Sequence, residues 1–155
     1  MVKALEAEKR TGRGEERVSV IPYAASIGVR VRDTNDLIER VEKGFTYSAF
    51  KNLLGLLGLT STELADLLQI PRRTLTRRKR DGRLAPDESE RLLRISRVLD
   101  ASVELFEGDR EGAVRWLQSP NRALGGEVPL DMARTEVGAL EVEKLIGRIE
   151  YGVPS

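Results

Sequence analysis

Ile70-Pro71 divides this chain more sharply than any other dipeptide in it. Proline has no N–H to donate to a helix, and it drives the residue before it out of the right-handed helical region. One helix must therefore end ahead of Ile70 and another must start after Pro71. On the amino-terminal side, Thr60-Ser61-Thr62-Glu63 has the form of a capping box and precedes Leu64, Ala65, Leu67 and Leu68, so that helix runs to about Gln69. On the other side, a helix from about Arg72 to Arg80 is stopped by Asp81-Gly82. Two short helices at a tight turn, with Leu64, Ala65, Leu68, Ile70 and Leu75 to fix their angle, make a helix-turn-helix over about 60–80. Pro71 stands where a capping Ser or Thr is common, so the second helix starts without a side-chain cap.

Charge marks the second helix as the reading element. Ile70–Leu84 holds seven basic residues against the single acid Asp81, a local charge of +6 in a protein whose net charge is only +1. The rest of the chain is thus acidic by about −5. Positive charge gathered on one short element is the footprint of a polyanion site. At about 100° per residue, turning Leu75 inward turns Arg73, Thr76, Arg77 and Arg80 outward and leaves Thr74 at the edge. These are expected in a DNA major groove. Arg72, at the helix start, reaches a base or a phosphate, while Arg78, Lys79 and Arg83 are expected on phosphates.

The remaining punctuation is helical as well. Thr34 caps a helix to Lys43, with Gly44 beyond its end, and Thr46 caps the next, with Phe50, Leu53, Leu54 and Leu57 on one face and Gly58 as the stop. Leu84-Ala85-Pro86-Asp87-Glu88 starts a helix that reaches about Glu107, roughly 30 Å, and is apolar over much of its circumference, as a central buried helix is. Shorter helices follow over about Asp109–Gln118 and Glu136–Ile149, with Trp116 read as core. In the last helix Val142, Leu145, Ile146 and Ile149 form a stripe expected to dock on the protein's own core. Val18–Pro22 reads as a short extended segment. The fold class is all-α: a polar arm over residues 1–20, a helix-turn-helix domain over 21–86 packed with a C-terminal helical domain over 87–155.

Absences narrow the chemistry. Histidine and cysteine are both missing, which removes Ser-His-Asp and Cys-His catalysis, HExxH metal binding, zinc fingers and disulfides. No catalytic residue, metal ligand or cofactor is therefore assigned, and the chain is not expected to be an enzyme. Glu88/Glu90 and Glu141/Glu143 lie two apart on helices, do not face each other, and read as solvated helix faces. No apolar run approaches the roughly 18 residues of a membrane span, and residues 1–17 lack the apolar stretch of a signal peptide, so a cytoplasmic location without membrane contact is expected.

The C-terminal half resembles a known family on an ordered series of residues. These include Gly82-Arg83-Leu84, Glu88-Ser89-Glu90-Arg91-Leu92, Val103-Glu104-Leu105-Phe106, and Ala113-Val114-Arg115-Trp116-Leu117 with Pro120-Asn121. Leu124-Gly125-Gly126, Pro129-Leu130, Thr135, Gly138 and a terminal Ile149-Glu150-Tyr151-Gly152 complete it. Together with the helix-turn-helix, they resemble the Xre/MbcA/ParS-type antitoxins over about residues 45–153, particularly those paired with RES-domain toxins. The resemblance implies a type II antitoxin that inhibits a RES toxin by direct binding and binds its own promoter as an autorepressor. RES toxins resemble ADP-ribosyltransferases and deplete NAD. The antitoxin's C-terminal region lies over the toxin's NAD pocket, so NAD is no cofactor of this chain.

Tyr151-Gly152, read from the residues alone, serves equally as a capped helix end or as an aromatic plug for a pocket. With the resemblance, the toxin-binding residues are Arg148, Glu150, Tyr151, Gly152 and Val153. By analogy the N-terminal helices form a homodimer, placing two recognition helices on operator half-sites roughly 34 Å apart. The alternative is a free-standing transcription regulator whose C-terminal half only dimerises.

Overall fold

The computed structural model describes residues 21–152; the expected polar arm over 1–20, and Val153 at the other end, lie outside the described residues. Nine α-helical segments follow one another among the described residues: α1 (Pro22–Ala25), α2 (Thr34–Lys43), α3 (Tyr47–Leu57), α4 (Ser61–Leu67), α5 (Arg72–Asp81), α6 (Pro86–Leu105), α7 (Arg110–Leu117), α8 (Pro129–Met132) and α9 (Glu136–Glu150). A 3₁₀ turn, Arg122–Leu124, lies between α7 and α8. The one β-like feature among the described residues is an isolated antiparallel bridge between Thr46 and Arg83. The fold is all-α.

Local chemistry accounts for most of the boundaries. The Thr60 hydroxyl accepts the Glu63 N–H at 3.2 Å while the Glu63 carboxylate accepts the Thr60 N–H at 3.3 Å, the reciprocal box expected of that tetrapeptide. Two caps differ from expectation. α2 is capped by Asp33, whose carboxylate accepts the Asp36 N–H at 2.8 Å, because an ionised oxygen is the stronger acceptor; Thr34 becomes the first helical residue. Thr46 occupies a capping position, but its hydroxyl pairs with Ser48 at 2.6 Å instead of with the helix backbone. Pro22 is not extended: its fixed φ suits the first position of a helical turn, and it opens α1.

Helix α6 is the axis of the molecule. It packs against α1, α2, α3, α7 and α9, and Leu92, Ile95, Val98 and Leu99 on it are fully buried. Phe50 and Leu53 of α3, Leu64 and Leu68 of α4, Leu117 of α7 and Val142 of α9 join the same core. Trp116 is half-buried and sits 6.3 Å from Phe106, ring centre to ring centre. Of the α9 stripe, Val142, Leu145 and Ile146 are buried, but Ile149 is half-exposed because the last turn of α9 runs past the packed core.

Two acids expected on solvated faces are engaged. Glu88 is buried and ion-paired with Arg78, and Glu143 is half-buried and takes Arg97 at 2.8 Å. Their partners come from other helices, which the spacing within one helix does not reveal.

Gly44 decides how α5 leaves the bundle. Its φ is +85°, and a β-carbon there would overlap the Leu84 carbonyl oxygen. This close approach lets Leu84 N–H reach the Phe45 carbonyl and Tyr47 N–H reach the Gly82 carbonyl, at 2.8 and 2.9 Å. The chain after α5 is thereby stitched to the start of α3.

Candidate nucleic-acid interface and partner-binding face

α5 lies on the surface with no fully buried residue. Leu75 is half-buried against the core and Thr74 half-buried beside it, while Arg72, Arg73, Thr76, Arg77, Lys79, Arg80 and Arg83 are exposed. The four residues that the helical wheel turns outward, Arg73, Thr76, Arg77 and Arg80, are thus exposed, and Arg72, Lys79 and Arg83 are exposed with them. Pro71 starts the helix without a side-chain cap, and the first turn closes through Leu75 N–H on the Pro71 carbonyl at 2.9 Å. Ahead of it, Gln69 sits in the left-handed region at φ +58°, and Ile70 N–H reaches the Ala65 carbonyl at 2.8 Å, which sets the tight turn.

The seven basic side chains differ in how committed they are. Among the described residues Arg72, Arg73, Arg77 and Lys79 have no acidic partner. Arg80 touches Asp81 at 3.2 Å, an exposed pair of little strength. Arg83 donates to the Gly44 carbonyl at 2.7 Å and has no acidic partner among the described residues. Arg78 is different: its Nε and Nη2 fork onto the Glu88 carboxylate at 2.8 and 3.4 Å. The Glu88 hydrogen bond holds the Arg78 guanidinium above its ordinary pKa.

The second face belongs to α9. With Val142, Leu145 and Ile146 turned to the core, Val137, Leu140, Lys144 and Tyr151 come around on the opposite, outward side. Val137 is 75% exposed, Leu140 is 45% exposed and Tyr151, just past the helix, is 81% exposed. Four of the five large apolar or aromatic residues left exposed among the described residues belong to this helix or its last cap. Gly152 takes φ +66° as a helix-ending glycine does. Glu150 is exposed, and Arg148 is half-buried with its Nε shielded and without a hydrogen-bond partner among the described residues.

Sequence reasoning named the end of this face but not Val137 or Leu140. A second apolar spacing out of phase with the core stripe was the available signal.

Two ionic and polar stitches join the faces. Arg94 and Arg97 of α6 both reach Glu136 at the start of α9, at 3.0 and 2.8 Å, and Arg94 also donates to the Arg134 carbonyl at 2.9 Å. Arg91 donates to the Leu68 carbonyl in the helix-turn-helix turn at 2.7 Å. One row of arginines on α6 thus fixes both the turn and α9.

A helix-turn-helix with an exposed cationic second helix, followed by a helical module that ends in an exposed aromatic, defines a two-module helical protein. Comparison with known proteins gives both modules a family. Residues 36–97 match the Antitoxin Xre-like helix-turn-helix domain, and residues 101–152 match the Antitoxin Xre/MbcA/ParS C-terminal toxin-binding domain; the two meet inside α6. An Antitoxin Xre of Yersinia enterocolitica is 40% identical over 128 residues, which is 82% of this chain and 86% of that protein. An Antitoxin Xre of Photorhabdus laumondii is 49% identical over 74 residues, 48% of this chain and 50% of the other. A Sphingobium protein named Prs ADP-ribosylating antitoxin is 25% identical over 155 residues, covering 94% of each chain. The chain belongs to the Xre family of type II antitoxins.

Proposed function

We propose that this antitoxin inhibits a RES-type, NAD-consuming toxin by laying the outward face and end of α9 over the toxin's NAD pocket, and that it represses its own promoter through α5. The observation that carries the toxin reading is Tyr151, which is 81% exposed at the tip of a helix anchored in the core. A rigid aromatic with a hydroxyl fills a pocket at small entropic cost. Arg148, Glu150 and Gly152 flank it, Val153 follows in the sequence, and Val137 and Leu140 extend the same face. The Sphingobium relative carries ADP-ribosylating in its name, and ADP-ribosylation is a chemistry that consumes NAD.

For DNA, the support is the outward charge of Arg72, Arg73, Arg77 and Lys79, without an acidic partner among the described residues, on the second helix of a helix-turn-helix. A homodimer places two copies of α5 on half-sites roughly 34 Å apart. The chain itself carries no catalysis; that belongs to the toxin. Both partners place it in the cytoplasm, and among the described residues no helix is long and apolar enough to cross a membrane.

The two activities separate by mutation. Deleting residues 151–155 is expected to release toxicity on co-expression with the toxin while DNA upstream of the gene is still bound. Changing Arg73 and Arg77 to Ala is expected to abolish DNA binding while neutralisation persists. If the deletion neutralises as well as the full chain does, the tail is not the inhibitory element.

A further inference from the structure

Helix α5 has little apolar purchase on the protein that carries it: none of its residues is buried, and Leu75 is only half so. The Gln69–Ile70 turn before it and the Gly44 junction after it fix its two ends, and a contact on its inner side sets its tilt between them. Arg78, one turn beyond Leu75 on the same side, points inward to Glu88 and not outward with Arg73 and Arg77. The Glu88 carboxylate is a three-way node. One oxygen accepts the Ala85 N–H at 2.8 Å and Arg78 Nε at 2.8 Å, and the other takes Arg78 Nη2 at 3.4 Å. The end of α5, the linker over 82–85 and the first turn of α6 therefore meet on a carboxylate whose side chain is 6% exposed. Since α6 is the central helix, the tilt of α5 is referred through this node to the core.

We infer that Glu88 is a positioning residue for DNA recognition: through Arg78 it holds α5 in the orientation that presents Arg73, Thr76 and Arg77 together. Arg78 works through Glu88 and not on a phosphate. This inference rests on the reading of α5 as the DNA-binding helix. It has a quantitative consequence, because each phosphate neutralised by a side chain contributes about 0.9 to the slope of log affinity against log salt. Arg78 contributes nothing to that slope.

The test uses the full-length protein, the duplex upstream of its own gene and a random duplex of equal length. The variants are Arg78→Met, Glu88→Gln and the double substitution. Glu88→Gln keeps an oxygen for the Ala85 N–H and removes the charge. The double variant leaves no unpaired buried ion, so it serves if a single variant fails to fold.

The expected result is a loss of about tenfold or more on the upstream duplex, the double variant losing no more than either single one. Binding to the random duplex and the salt slope stay as in the wild type. Neutralisation of the toxin also persists. A slope that falls by about 0.9 with Arg78→Met on both duplexes makes Arg78 a phosphate contact and overturns the assignment. Additive losses in the double variant, or a Glu88→Gln variant that keeps full affinity and discrimination, overturn it equally. A wild type that does not prefer the upstream duplex overturns the DNA reading itself, and this inference with it.

Discussion

Gln69 and Arg134, 65 residues apart, meet where the Gln69 side-chain amide donates to the Arg134 carbonyl at 3.3 Å. The first is the left-handed residue of the helix-turn-helix turn and the second precedes α9. Arg94 donates to the same carbonyl, so the turn before α5 and the start of α9 share one polar junction.

Beside that junction Arg97 bridges Glu136, which it shares with Arg94, and Glu143 on α9. Both contacts are partly solvent-exposed, so their Coulomb energy is largely screened. Arg97→Met is expected to lower stability by about 1 kcal/mol, measured by urea denaturation. Amide exchange in α9 is expected to quicken more than exchange in α3, since only α9 loses its partner.

Two glycines make opposite predictions. A β-carbon at Gly138 would overlap the Met132 carbonyl, whereas at Gly55, inside α3, it meets nothing within 4 Å. Gly138→Ala is expected to destabilise by about 1–3 kcal/mol through overpacking. Gly55→Ala is expected to stabilise by about 0.5–1 kcal/mol through helix propensity and lost chain entropy in the unfolded state. Thermal melts of the pair would show shifts of opposite sign; shifts of the same sign would contradict the packing of α9 on α8.

Acid sensitivity follows from Asp36 and Glu136. The backbone hydrogen bond from Arg32 lowers the Asp36 pKa, with the Arg32 and Arg40 charges assisting against burial. Burial alone raises Glu136, and the hydrogen bonds of Arg97 and Arg94 more than reverse this. A carboxyl with a depressed folded pKa binds its proton more readily when unfolded, so its stabilisation is complete above the ordinary carboxylate range. It is lost as pH falls through the lower folded value. Melting temperature should therefore drop below about pH 4, and Asp36→Asn and Glu136→Gln should each flatten that drop while lowering stability at pH 7. A wild-type profile as flat as the variants' would contradict these pairings.

The outward face of α9 offers a surface test. Val137 and Leu140 stand on the exposed side of α9, so Val137→Asp with Leu140→Asp is expected to leave the melting temperature within a few degrees. Neutralisation of the toxin is expected to fall by tenfold or more in titration, because a buried interface would then hold unpaired charge. Full neutralisation by this variant would confine the contact to the tail.

Local signals carried most of the fold. The Thr60–Glu63 box, Pro86 and the glycines after helix ends are short-range chemistry, and each appears where its residues place it. What local reading missed is long-range. Nothing near Glu88 in sequence points to Arg78 on another helix, and nothing near Gly138 shows that Met132 folds back onto it. Asp33 displaced Thr34 as a cap because both neighbours are competent and only acceptor strength decides between them. The α5 surface was legible because one inward leucine fixes a wheel, and the α9 face was legible only at its end.

The most direct measurement is co-expression of this chain with the reading frame beside its gene, following growth and intracellular NAD. The account predicts that the neighbour alone arrests growth and drains NAD, and that this chain restores both. A neighbour that leaves NAD unchanged, or NAD loss that this chain does not reverse, would contradict inhibition of an NAD-consuming toxin.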